Sequence, residues 1–154
     1  MHLKLTIDLV PKTSWCKNLR EAMRPYQWDK LRKTIYAEYG YKCGVCGAAT
    51  DRLNCHEVWE YVDSNHEQNL KGFIALCDMC HHVKHLGYAE ILAQQGRLDF
   101  EKAIKHFMNV NGCDKETYES HRKQMHDKWK ERSLHRWSVN LGEYESLVQK
   151  VGKK

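Results

Sequence analysis

The stretch that decides the fold reads CGVCGAATDRLNCHEVWEY over residues 43–61 and CDMCHHVKH over residues 77–85. Residues 43–85 hold ten cysteine and histidine side chains, most of them at metal-ligand spacing. Cys43-x2-Cys46 and Cys77-x2-Cys80 are two knuckles separated by 30 residues, enough chain to enclose a β-hairpin between the halves of one tetrahedral site. A two-residue spacer with glycine at hand, here Gly44 and then Gly47, lets backbone amides point at the thiolates while both sulfurs reach one ion. Disulfides need an oxidising compartment, and free buried thiols have no reason to recur in pairs at a spacing of three. The pattern therefore predicts a structural zinc site of Cys43, Cys46, Cys77 and Cys80.

The second knuckle runs directly into His81, His82 and His85. On a short helix, His81 and His85 stand at i and i+4 and place two imidazoles on one face, able to share a second metal, while Cys77 and Cys80 turn toward the zinc. His82 falls off that face. Upstream, a strand over Leu53–Trp59 sends His56 to one side and Cys55 and Glu57 to the other by simple alternation.

A strand with a histidine, a second strand and a helix carrying histidines is the ββα-metal arrangement, and the chain resembles the HNH endonuclease family at His56, Asn69 and His81. The segments VPKTSWCKNLR, WDKLRKTIY, CHEVWEY, GFIALCDMCHHVKHLGYAE and FMNVNG extend the likeness, resembling small HNH proteins of phages and bacteria. The resemblance implies His56 as general base, Asn69 (or the adjacent Gln68) as the residue that orients it or braces the loop, and His81 and His85 as metal ligands. Where these nucleases place an Asp or His ligand before the base, this chain has Cys55, and a thiolate prefers softer ions than magnesium. Either Cys55 or Glu57 is then the remaining ligand of a second divalent cation, which is magnesium, manganese, nickel or zinc. The activity implied is hydrolysis of phosphodiester bonds in DNA. The alternatives are a catalytically inactive scaffold of the same fold that binds nucleic acid or a protein, for example a phage factor acting on a host protein, and a merely zinc-stapled structural protein.

Around this core the expected fold class is α+β, a single domain over residues 1–154 with the core at 43–87 and mainly helical elaborations at 1–42 and 88–150. A core of this size is modest, and a structural zinc adds on the order of 10 kcal/mol to folding. Leu3, Leu5, Ile7 and Leu9 alternate with polar residues up to Pro11, which predicts a strand, and Trp137, Val139 and Leu141 alternate in the same way as its expected partner. Trp28, Leu31, Ile35 and Tyr39 predict a helix over Gln27–Tyr39, with Pro25 near its start and Gly40 as its stop. Further helices are expected over Tyr88–Gln95, after Asp99 and after Asp114, the last two residues acting as N-caps. Core packing is expected of Trp15 and Trp28, ordinary buried thiols of Cys16 and Cys113, and a loose tail of Gly152–Lys154.

The net charge is +5, unevenly spread. Residues 1–42 carry nine Lys or Arg against four Asp or Glu, residues 43–85 three against six, and residues 112–154 ten against seven. An acidic metal-binding centre between basic arms suits a polyanion, with Arg32, Lys33, Arg122, Lys123, Lys128, Lys130, Arg132 and Arg136 as candidate nucleic-acid contacts. Met1–Val10, interrupted by His2, Lys4 and Asp8, is unlike a signal peptide, and no apolar run approaches the ~20 residues of a membrane span. Metal usage of the cysteines implies a reducing, cytoplasmic setting, the bacterial or phage-infected host cytoplasm.

Overall fold

Between the two knuckles the chain does form a hairpin. The computed structural model describes residues 2–16 and 18–148. In it, β1 (Leu53–Val62) pairs antiparallel with β2 (Glu67–Cys77), so that Leu53 faces Cys77 and His56 faces Ile74. The register shifts between Val58 and Trp59, opposite Gly72, whose φ of +148° is open to glycine. β2 ends at Cys77, whose sulfur caps the next helix by accepting from the amide of Cys80.

Numbering the helices in chain order, α1 (Leu19–Ala22) and α2 (Pro25–Glu38) precede the hairpin. α3 (Asp78–Lys84), α4 (Leu86–Gln94), α5 (Phe100–Asn111) and α6 (Lys115–Arg132) follow it. The local signals hold. Pro25 opens α2 and Gly40 follows it at φ +64°; Asp99 accepts from the amide of Glu101, and Asp114 from that of Thr117. Six α-helices, a 3-10 helix (Gly142–Leu147) and a three-stranded sheet make the described residues an α+β structure. None of its helices is long and apolar enough to cross a membrane.

The expected pairing of the chain's two ends does not occur. β3 (Ser138–Asn140) lies parallel to β2, with Val139 opposite Gln68, giving the sheet order β1-β2-β3. The segment before Pro11 joins no sheet, because side chains and a helix end take its hydrogen bonds. Asn111 Oδ1 accepts from Lys4 N (2.7 Å) and Leu5 N (2.9 Å), and Asn111 Nδ2 donates to Leu5 O (2.9 Å). His121 Nε2 accepts from Ile7 N at 3.0 Å, and Asp8 N donates to Lys84 O at 3.0 Å. Alternation read the burial correctly, since Leu5 and Ile7 are fully buried. It could not name the partner.

Two apolar clusters meet at the hairpin. One gathers Leu5, Ile7, Leu76, Val83, Phe107 and Tyr118 beneath α3, α5 and α6; the other gathers Leu19, Trp28, Ile35, Phe73, Ala75 and Leu141 under α2 and the sheet. Full burial of a side chain such as Phe107 contributes about 1.5–3 kcal/mol. Trp28 belongs to this core as expected, whereas Trp15 does not, standing 56% exposed. Cys16 is buried and Cys113 only partly so. The expected tail, Gly152–Lys154, lies outside the described residues.

Candidate metal centre

The two knuckles converge. The Sγ atoms of Cys43, Cys46, Cys77 and Cys80 all lie within 4.8 Å of one another, and those of Cys46 and Cys77 are 3.7 Å apart. Four thiolates about 2.3 Å from a tetrahedral ion stand about 3.8 Å from each other, so the cage fits a metal ion such as zinc. Gly44 is confined: its amide donates to Ala75 O at 2.7 Å, and a Cβ there would fall 2.7 Å from both Ile74 Cγ1 and Tyr39 Cε1. Gly47 supplies the turn's φ of +78°. The amides of Val45 and Cys46 point at Cys43 Sγ, at 3.4 and 3.5 Å.

These surroundings poise the thiols for metal. The Cys80 thiol, donating to Cys43, draws Cys43 down to about 4, with the amides of Cys46 and Val45 assisting against burial. Burial pushes Cys77 up to about 11, and Cys80 is pushed up by its bond to Cys43 and by burial. The Cys43 thiolate thus accepts from the Cys80 thiol, whose proton an ion bound in the cage would displace. His106 of α5, absent from the expected set, places Nε2 3.2 Å from Cys80 Sγ. Burial lowers its pKa, which keeps it a neutral ring able to donate to a ligating sulfur.

A second cluster lies on the other side of α3. One ring nitrogen each from His56, His81 and His85 fall within 4.8 Å of one another, and the ring centroids are 4.6–5.7 Å apart. β1 supplies His56. α3 supplies His81, and its C-cap supplies His85, whose amide donates to His81 O at 3.0 Å. Burial, then the neighbouring imidazoles, lowers His81 to about 3 and His85 to about 4, so both are neutral at pH 7 and available as ligands. His82 is outside the group.

The remaining expected members are placed elsewhere. Cys55 and Glu57 face away from His56, as alternation requires, and are not in the three-imidazole group. Glu57 Oε2 instead accepts from the amide of Leu19 at 3.0 Å, and burial raises its carboxyl. Burial and the charge of Glu57 push the Cys55 thiol up to about 12, far from a ready thiolate. Asn69 does not reach His56. It pairs with Glu60 near the hairpin turn and donates to Glu60 Oε1 at 3.2 Å. Gln68 is fully buried, accepting from Ser14 Oγ at 2.6 Å and donating to Cys16 O at 3.4 Å. The partner that His56 does have is Asp8, 3.4 Å from its Nε2, brought in by the amino-terminal segment.

A cavity of about 690 Å3 opens beside the cluster, lined by His81, His85, Cys55 and Glu57 and by Arg20, Arg32, Tyr36 and Tyr88. Of the expected basic contacts only Arg32 lines it, while Arg20, overlooked in the sequence, joins it from α1. Lys33, Arg122, Lys123, Lys128, Lys130 and Arg136 are exposed elsewhere. Arg132 is committed to structure, holding Asp63 with two bonds of 2.8 and 3.0 Å and lying 4.4 Å over the Tyr61 ring. Comparison with known proteins places nothing beside this arrangement: no family model, curated protein or solved structure matches the chain.

Proposed function

We propose that this cavity is the active site of an HNH-type endonuclease that hydrolyses phosphodiester bonds in DNA with one divalent cation at the imidazole cluster. The observation that carries the reading is the meeting of His81 and His85 at a cavity whose wall also holds Arg20 and Arg32. Neutral imidazoles suit zinc or nickel, and guanidiniums beside them suit phosphate. A bound ion would supply Lewis-acid stabilisation of charge developing on the phosphoryl and departing oxygens. The chain's own residues would do the rest. Arg20 and Arg32 bind flanking phosphates, and Tyr88, 58% exposed at the rim, offers a face on which a splayed base stacks. The cysteine cage with its zinc keeps the hairpin and α3 rigid behind the site.

His56 has two roles open to it, general base or third ligand. They part in His56→Ala: a base variant stops cutting yet keeps the ion, a ligand variant loses the ion.

One observation favours a second reading. The residue preceding His56 is a buried thiol rather than a hard oxygen or nitrogen ligand, so the scaffold would bind nucleic acid or a protein without cutting. A nicking assay on supercoiled and single-stranded DNA with magnesium, manganese, nickel and zinc separates the two. Cutting that disappears in the double variant His81→Ala with His85→Ala supports the nuclease. DNA binding without cutting under every ion supports the second reading.

A further inference from the structure

His56 is 4% exposed, and its Nδ1 has no hydrogen-bond partner among the described residues. A buried, unpaired ring nitrogen is costly unless something outside the protein's own hydrogen bonds occupies it. Its other nitrogen is accounted for. Nε2 lies 3.4 Å from Asp8 Oδ2, and Asp8 is held in turn by Lys84 Nζ at 3.3 Å and by Thr6 Oγ1 at 3.3 Å. Lys84 comes from α3, the same helix that carries His81, so one bracket fixes both sides of the cluster. An ionised Asp8 can only accept, so Nε2 is the nitrogen that donates to it. In the Nε2–H tautomer Nδ1 keeps a free lone pair, and the His56 ring lies 5.7 and 4.7 Å, centroid to centroid, from those of His81 and His85.

His56 is also set apart from the large cavity. His81 and His85 line that cavity, whereas His56 is not in its lining and borders a small pocket of about 100 Å3 shared with Asp8, Tyr61 and His85. A general base must reach the attacking water; a ligand can sit behind the ion.

Resting on the endonuclease reading for its setting but not for its test, we propose that the divalent cation is held by three imidazoles, His56, His81 and His85. Asp8 is the positioning residue that locks His56 as the Nε2–H tautomer. The carboxylate–histidine–metal chain is a recurrent way of orienting a ligand and raising its basicity, and losing the outer partner typically weakens binding 10- to 100-fold. His81 and His85 line the same cavity as Arg20 and Arg32, so an anionic substrate there would meet the ion and the guanidiniums together.

The test uses the full chain with zinc in the cysteine cage, titrated with Co2+ in the absence of DNA. One exchangeable Co2+ should bind, and the proton spectrum of that complex should show three hyperfine-shifted, exchangeable imidazole N–H signals. Two signals would overturn the role of His56 without need of any variant. His56→Ala should lose Co2+ as His81→Ala does, with the cage zinc retained as the mark of an intact fold. Asp8→Ala should weaken Co2+ by about 10- to 100-fold and speed exchange of one shifted N–H, with Asp8→Glu recovering part of the loss. Unchanged affinity in Asp8→Ala would remove Asp8 from the site. A chain that binds Co2+ through three imidazoles and cuts no DNA would sink the endonuclease reading alone. A chain that cuts DNA while His56→Ala binds Co2+ as tightly as before would sink this one alone.

Discussion

Gly44 shows how little room the cysteine cage leaves at single positions. Any side chain there meets Ile74 and Tyr39 at 2.7 Å, and neither contact is with the loose end of a flexible chain. Gly44→Ala is expected to destabilise the fold by about 1–3 kcal/mol in chemical denaturation, as overpacking does. Gly87→Ala is the contrast, since it lies in α4 with nothing within 4 Å and should be neutral or stabilising by up to ~1 kcal/mol. The ligand types were legible at this scale because cysteine pairs and i, i+4 histidines declare themselves within a few residues. The supports were not. His106 and Asp8 are ordinary residues in their own stretches, and become a sulfur's neighbour and a histidine's partner only through packing.

Helices were the most readable elements, because caps and stops are local chemistry: Asp99, Asp114, Pro25 and Gly40 all stand where their backbone bonds predict. The amino-terminal segment was the hardest, and it is the element that delivers Asp8. Its anchoring by Asn111 gives a direct prediction. Asn111→Ala strips a partner from three backbone groups, those of Lys4 N, Leu5 N and Leu5 O, and should cost about 1–3 kcal/mol. Amide exchange at Leu5 should accelerate well beyond that at His56 or Ala75 in the hairpin. Equal acceleration across the chain would show that the segment is not an independently anchored element.

Over the whole molecule, burial of neutral imidazoles links stability to pH. His81 at about 3 and His85 at about 4 sit below their ordinary 6.5. Between pH 6.5 and about 4 the unfolded chain binds protons that the folded chain refuses. Stability without an ion at these rings is therefore undiminished above pH 6.5 and falls as pH drops through that window. Replacing both by glutamine should flatten the slope, read from denaturation midpoints at pH 6.5, 6.0 and 5.5. Electrostatics gives a second whole-molecule outcome. On the proposed endonuclease reading, removing Arg20 and Arg32 together should weaken DNA binding and reduce its salt slope by nearly two, about 0.9 per phosphate contact. Arg132→Ala should chiefly lower stability, because its guanidinium is spent on Asp63 and Tyr61.

The sequence by itself determined which side chains could act as ligands, several helix caps and stops, and the buried positions Leu5 and Ile7 of the amino-terminal segment. Each of those is settled within a turn of helix or a pair of strand residues. Only the tertiary structure decided who meets whom across distance. Asn69 binds Glu60 while Asp8 meets His56, 48 residues away, and β3 joins β2 rather than the amino terminus. Such pairings are contests among many chemically equivalent partners, decided by how two apolar clusters close around the hairpin, and no local pattern records the outcome.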